Sequence, residues 1–477
     1  MSGYSDKARV SMGITASPNG ALEEGRLRLS RVQRVPKLTI VNQHKPTVAD
    51  APTTTYGLRY RAACHRELPH IVKFSGGRSS GMLLFALLEN RLLDPDRGDV
   101  IVFNNTAAEH PGTYRFAQDC KTASSRYGVP FFWVEFQTYE DSRSGEWTRL
   151  PSYRLVNDQP RSEANPEGFH WSGEVFEELL SWSGYVPNQF SRICTKNMKL
   201  EVTRMFLKDW LACRETIPRQ GHHGSKSRME LNAMYRRHLR NQGSVPKDIF
   251  SRKRAFALSR PYVRPEQAYR DFSPVWRPFQ NSALKDRIFG NQASFGKGGV
   301  EYVAFVGLRG DEQVRVQRVA ARNAGPGASG YEGEHVYMPL ADMGITRDDV
   351  NAFWDKQPWD LCLPKEGSLS NCVYCFLKGG ANLRKVRDRM EREKHAEEPG
   401  FGSLLETPSD IAWWRRIEQT YGRDLEAEGR KITGNPTSKV IGFFGTKTDF
   451  SYERLAQAGD SDFVRYSAAL LPCDCTE

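Results

Sequence analysis

Ile71-Val72-Lys73-Phe74-Ser75-Gly76-Gly77-Arg78-Ser79-Ser80-Gly81-Met82 is the stretch from which the fold is read. A short β-branched run ends in Ser75-Gly76-Gly77, and an apolar, helix-spaced segment follows through Met82, Leu83, Leu84, Phe85, Leu87 and Leu88. The pattern is strand, tight glycine turn, helix N-terminus. Adjacent glycines let backbone N–H groups point into one concavity, and the first turn of the helix adds unpaired donors and a favourable dipole for an anion. Hydroxyls at Ser75, Ser79 and Ser80 add donors, and Arg78 adds charge. The spacing predicts a phosphate cradle that is neither GxGxxG nor GxxxxGK[ST].

Outward from this loop the pattern stays α/β. Strands are predicted at Ile71–Phe74, Val100–Asn104 and Phe131–Phe136, with helices at Gly81–Arg91 and Tyr114–Tyr127. That alternation implies a doubly wound, mostly parallel sheet with helices on both faces. Lys196–Ala212 reads as a helix with Val202, Met205, Phe206 and Trp210 on one stripe. Glu301–Val306 resumes the sheet and ends at Gly307; Arg347–Gln357, 376–395 and Ile411–Ile417 read as helical. The resulting division is a flexible arm at 1–65 (with a short strand at Leu38–Val41), a nucleotide-binding part at 66–213, an insertion at 214–300, a second part at 301–395, and a C-terminal extension at 396–477 packed on the main domain.

The net charge of +11 over 477 residues is concentrated in one place. Residues 214–300 hold 18 Lys and Arg against 6 Asp and Glu, which leaves the rest of the chain with 50 basic and 51 acidic residues. Within that insertion Arg236-Arg237, Arg240 and Arg252-Lys253-Arg254 are interleaved with Tyr, Phe and Trp, a combination suited to phosphate contacts and base stacking; a solvated face or an oligomer contact is the plainer reading. No apolar run reaches the about 18 residues of a membrane span, and Met1–Lys7 lacks a signal core. The expectation is a cytoplasmic protein without a membrane partner. Nine cysteines, an odd number, argue against a disulfide framework and for metal binding or catalysis.

Five pieces in order resemble the PP-loop superfamily, and within it the phosphoadenosine phosphosulfate (PAPS) reductase-like family, with relatives among Dnd-type DNA phosphorothioation enzymes. They are Ser75–Ser80, Phe103–Pro111, Arg192-Ile193-Cys194-Thr195, Gly307–Glu312 and Asn371–Gly379. The resemblance implies an adenine nucleotide alpha hydrolase-like fold. It implies that Ser75, Gly76, Gly77, Arg78, Ser79 and Ser80 cradle nucleotide phosphates, with Asn105 and Thr106 near the adenosine and Gly307 and Arg309 completing the site. Ser79 stands where the ATP-pyrophosphatase form carries Asp, which makes Mg²⁺ placement less defined and favours the PAPS reductase-like branch. Arg309, just past a strand end, suits bidentate pairing with phosphate, and Asp311 and Glu312 suit orienting it or holding a cation. A surface salt-bridge network is the alternative for these charges, including Arg315 and Arg318. His110 reads as a helix-start residue, not a catalytic one.

Cys372-x₂-Cys375 has the spacing of an Fe–S or zinc hook, with Cys362 ten residues upstream and Cys194 in another motif. Arg192, Lys196, Lys365 and Lys378 nearby in sequence favour thiolates. The expected ligands of a [4Fe–4S] cluster are Cys194, Cys372 and Cys375, completed by Cys362 or an external ligand, with zinc or metal-free reactive thiols as alternatives. Cys473 and Cys475 are unassigned tail residues, and Cys120 reads as a small core residue. The expected activity is ATP-dependent adenylation and thiolation of a nucleic acid, with Cys194, Arg309 and Asp311 as catalytic residues and a sulfur donor such as a cysteine desulfurase. The alternatives are reduction of PAPS or APS to sulfite with a thioredoxin-like reductant, and a nucleic-acid-binding defence or mobile-element factor with a degenerate nucleotide site.

Overall fold

The computed structural model describes residues 63–141, 148–211, 288–289, 292–293, 295, 299–323, 332–395, 397–426, 429, 438–445 and 450–457. The arm with Leu38–Val41, most of the basic insertion, and Cys213, Cys473 and Cys475 lie outside the described residues.

The central sheet has seven strands: β1 (His70–Phe74), β2 (Val100–Asn105), β3 (Phe131–Asp141), β4 (Thr148–Pro160), β5 (Gly168–Phe169), β6 (Tyr302–Val306) and β7 (Glu334–Tyr337), in the order β5-β4-β3-β2-β1-β6-β7. β1, β2, β3, β6 and β7 run parallel. Strands covered on both faces need continuous apolar sequence, and Val100–Phe103 and Tyr302–Val306 are buried throughout. Lys73, the polar residue within β1, pairs with Glu334 of β7 at 2.8 Å.

Among the described residues the α-helices of eight residues or more are α1 (Arg78–Glu89), α2 (Pro111–Ser124), α3 (Glu174–Ser183), α4 (Glu201–Trp210), α5 (Gln313–Asn323), α6 (Arg347–Trp354), α7 (Gly380–Glu393) and α8 (Ile411–Tyr421). Successive residues of a strand face opposite ways. Phe132 packs on Phe206 and Trp210 of α4, whereas Trp133 packs on Tyr114 of α2, so helices cover both faces. Gly81 lets α1 approach its neighbours: a Cβ there would lie 2.7 Å from Trp354 of α6 and 2.9 Å from Phe116 of α2.

Two features depart from the sequence expectation. The third strand continues to Asp141 and returns as β4, antiparallel to it, because the six intervening residues are too few for a parallel crossover. The helix expected from Lys196 opens as a π-helical turn at Cys194–Leu200 before α4. Tyr452, in the short helix Tyr452–Gln457, donates its hydroxyl to the Tyr374 carbonyl and packs against Trp414 and Phe443. Among the described residues no helix is long and apolar enough to cross a membrane.

The strand order places a switch point at β1. The chain winds from β1 through β2 and β3 to one side, then adds β6 and β7 on the other. The loops leaving β1 and β6 therefore border one crevice at the carboxyl edge, where ligands bind in sheets of this kind.

Candidate functional site: a cation-lined cleft at the switch point

Three contacts set the loop after β1. Gly76 has φ +74°, and a Cβ on it would lie 2.7 Å from the Thr113 methyl, so both backbone conformation and space call for glycine. Ser80 Oγ is the loop's internal hub. It accepts from the Ser75 and Gly77 backbone N–H groups (3.2 Å each) and from Ser75 Oγ (3.0 Å), and donates to the Gly77 carbonyl (2.8 Å). Arg78 turns outward: its Nε and Nη2 hold Asp360 at 2.7 and 2.5 Å, and Nη2 also donates to the Leu363 carbonyl at 2.7 Å. Burial works against ionisation of Asp360, but the Arg78 hydrogen bond and charge hold its carboxyl below the usual range. Arg78 thereby straps the 360–364 segment to the loop.

From the other side of the switch point, the end of β6 presses on the loop. A Cβ on Gly307 would lie 2.9 Å from Ser80 Cα and 3.0 Å from its nitrogen, so a larger residue pushes the two strand ends apart. Two residues on, Arg309 Nη1 donates to Ser79 Oγ at 3.1 Å and Nε to Asp311 at 2.8 Å, while Glu312 accepts from the Arg309 backbone at 3.0 Å. Burial opposes ionisation of Asp311, and the Arg309 hydrogen bond and charge outweigh it, lowering the carboxyl. Arg315 also pairs with Glu312. Ser79 and Arg309, 230 residues apart in sequence, are thus joined directly.

Between these elements lies a cleft of about 460 Å³. Of the residues expected at a nucleotide site, Ser75, Gly76, Gly77, Arg78, Ser79, Gly307 and Arg309 line it. Its far wall adds Arg347 at the start of α6, with Lys365 and Lys378. Six cations and two carboxylates, Glu312 and Glu366, line this space; Arg78, Arg309, Arg315 and Lys365 are paired with Asp360, Asp311, Glu312 and Asp355, and the excess of positive charge in the lining itself favours an anion. Sequence reading missed Arg347 because a basic residue opening a helix carries no motif, and missed Thr113 for the same reason. Thr113 lines the cleft beneath Gly76, and its buried hydroxyl has no hydrogen-bond partner among the described residues.

Ser80, Asn105, Thr106 and Asp311 do not line this cleft. Asn105 donates to Glu135 (2.7 Å) and to the His170 carbonyl (2.6 Å), and its oxygen accepts from Ala107 N (2.8 Å). Glu135 faces Arg154 across the β3–β4 pair and accepts from its guanidinium and from His170 Nδ1, the latter at 2.8 Å. Burial alone would raise the Glu135 carboxyl, but the charges of His170 and Arg154 bring it down to about 2. Thr106 donates to Glu109 at 2.6 Å and sits 3.5 Å from Cys372 Sγ; Tyr114 also donates to Glu109, at 3.1 Å. This second polar cluster, with Glu135, Arg154 and His170 at its centre, went unread in the sequence because its members are scattered over three strands.

His110 caps α2, its Nδ1 accepting from Gly112 N at 3.0 Å. Burial, then the charges of Arg115, Arg389 and Lys378, push it down to about 3, so the ring is neutral near pH 7.

Cys372 and Cys375 are buried thiols joined by a tight turn, Cys194 is half-buried in the π-helical turn, and Cys362 is exposed beside the strap. Among the described residues no three His, Cys, Asp or Glu side chains are grouped to hold a metal ion. Cys194, Cys362, Cys372 and Cys375 are therefore not a ready-made ligand set, and Asp311 and Glu312 are committed to arginines.

No family model matches the chain, and no solved structure matches it. It is similar to the uncharacterized nin region protein ORF290 of Escherichia phage lambda, at 25% identity over 181 residues, covering 34% of this chain and 56% of that protein. The match thus spans little more than half of the relative's length.

Proposed function

We propose that this chain is a PP-loop enzyme of the PAPS reductase-like kind, with an adenine nucleotide alpha hydrolase-like fold. Its cleft takes the phosphates of an adenine nucleotide, and ATP serves to adenylate, and so prepare for thiolation, a nucleic-acid substrate. One observation carries this reading: a cation-lined cleft at the switch point, bounded by the Ser75–Ser79 loop and by Arg309.

The chain's own groups have separable tasks here. The loop and the N-terminus of α1 receive phosphate oxygens. Arg309, held in orientation by Asp311, Glu312 and Ser79, offsets charge developing on a leaving pyrophosphate. A substrate oxygen attacks the α-phosphorus, a P–O bond forms, and the bond to pyrophosphate breaks. The terminal sulfur of a donor persulfide then attacks the activated atom and displaces AMP. A thiol attacks the donor sulfur of the resulting S–S bond, which leaves sulfur on the substrate and a disulfide on the donor side. Sulfur is assigned to an external donor of the cysteine desulfurase class, and no step is routed through a cluster.

The test is product analysis with the full chain. Pyrophosphate release from ATP that depends on added nucleic acid is expected. Sulfite release from PAPS with a thiol reductant, and no pyrophosphate from ATP, overturns the thiolation reading in favour of a reductase. Binding of nucleic acid without affinity for either nucleotide overturns both.

A further inference from the structure

We infer that Phe190 is a stacking platform for a base of single-stranded nucleic acid, with Arg192, Lys196 and Lys199 beside it to meet the sugar–phosphate backbone. The inference rests on the nucleic-acid part of the function proposed above and names the surface that would serve it.

Phe190 is 74% exposed, the most exposed large hydrophobic side chain among the described residues. Its exposure is fixed by a built turn. Asn188, itself buried, accepts from the Phe190 and Ser191 backbone N–H groups at 2.9 Å each, and Asn188 and Ser191 exchange two backbone hydrogen bonds at 3.1 Å. The turn carries the aromatic ring at its tip, out of reach of the core. One ring edge lies beside Gly445, where an added Cβ would stand at ordinary van der Waals distance, 3.9 Å, so the absence of a side chain there keeps that edge open.

The chain segment that carries the tip has charge of one sign. From Leu179 to Leu200 the sequence has no Asp or Glu, while Arg192, Lys196 and Lys199 fall within eight residues. The geometry also puts this surface on the correct edge. Asn104, near the carboxyl end of β2, exchanges hydrogen bonds with Thr203 of α4 at 2.7 and 3.1 Å, whereas Trp210 donates to the Gly98 carbonyl, just before β2 begins, at 2.8 Å. α4 therefore runs antiparallel to the strands. The π-helical turn at Cys194–Leu200 and the Phe190 tip before it lie toward the carboxyl edge, the edge that holds the cleft. π-helical turns of this kind are common at functional sites. The basic segment 214–300 follows α4 directly in the chain.

An exposed ring with adjacent cations matches a single strand, whose bases are free to stack; a duplex offers its base faces only at its ends. The test is fluorescence anisotropy of the full chain with labelled single-stranded DNA and RNA oligonucleotides about 20 nucleotides long, enough to span one such site. Phe190→Ala is expected to weaken binding roughly 5- to 150-fold while leaving the salt slope unchanged, and Phe190→Trp to retain it. Lys196→Ala is expected to weaken binding and to reduce the salt slope by about one. ATP affinity and thermal stability should be unchanged in all three, since these side chains lie outside the cleft. Wild-type-like oligonucleotide affinity in Phe190→Ala overturns the platform alone. Equal affinity for duplex and single strand, insensitive to Phe190, places the contact elsewhere and overturns it too. A wild-type chain that binds ATP but no oligonucleotide overturns the nucleic-acid reading and the platform with it.

Discussion

Two polar regions share the carboxyl edge of this sheet, and they treat their charges in opposite ways. At β1 and β6, six cations line an open cleft and outnumber the carboxylates beside them. At β2, β3 and β4, Asn105, Glu135, Arg154 and His170 are buried and bonded to one another, with Thr106, Glu109, Tyr114 and Cys372 as a second buried knot next to them. In the first arrangement Arg78, Arg309, Arg315 and Lys365 are paired with Asp360, Asp311, Glu312 and Asp355, yet the pairs border an open cleft that a ligand can enter. The second closes its charges off internally, where a buried pair contributes little net stability but is costly to break. Charge at a strand end is therefore not by itself a site; what matters is whether it borders open space or is closed off within the fold.

The largest effect is expected where charge is closed. Glu135→Ala leaves Arg154 and His170 facing one another without their shared acceptor, and should lower unfolding free energy by about 3–5 kcal/mol in urea titration. Nucleotide affinity of the folded fraction should change little, because Glu135 is not in the cleft wall. The reverse pattern is expected at Arg309→Ala: roughly 10- to 100-fold weaker ATP binding by calorimetry, the scale of one or two lost charge-assisted hydrogen bonds, with stability nearly unchanged. If Arg309→Ala destabilises as strongly as Glu135→Ala, the two regions do not differ as described.

Ser80→Ala should fall between these patterns. It removes the hub of the loop, so stability drops by about 1 kcal/mol and ATP binding weakens several-fold, although Ser80 itself does not line the cleft. Equal ATP affinity would show that the loop keeps its shape without the hub.

The smallest effect is a pH dependence at a carboxyl that belongs to neither region. Burial raises the Glu418 carboxyl in α8 to about 7, against the lowering effect of the Tyr452 and Phe443 backbone N–H groups it accepts from. The folded state then holds a proton that the unfolded state has released. This contribution is fully present below pH about 4.5 and is lost as pH rises through about 7. Glu418→Gln should flatten the fall in urea midpoint over that range and leave nucleotide affinity unchanged.

Sequence alone made the first region largely legible and the second hardly at all. Ser75–Ser79 and Gly307–Arg309 lie at strand–loop junctions, where apolar periodicity stops and glycines mark the turn, so local pattern pointed to them. Ser80 was read as a phosphate ligand, yet its hydroxyl organises the loop from within. The family resemblance implies that Asn105 and Thr106 lie near the adenosine, whereas their partners Glu135, His170 and Cys372 come from a neighbouring strand and distant loops, which no local pattern reveals. Arg347 reaches the cleft for the same non-local reason, brought there by the close approach of Gly310 to Gly344, where a Cβ would lie 3.0 Å from backbone. The antiparallel return of β4 is announced by Ser144-Gly145, but Thr148–Pro160 holds two prolines and many polar residues and lacks the apolar run that marks a strand in sequence.

The most direct measurement is calorimetric titration of the full chain with ATP and with PAPS, for wild type and Arg309→Ala. Saturable wild-type binding of at least one of these nucleotides, competed by pyrophosphate and lost at Arg309→Ala without a fall in melting temperature, is the result expected of a phosphate-binding cleft at the switch point. No binding of either nucleotide by the folded wild-type chain, or binding that Arg309→Ala leaves intact, would contradict it.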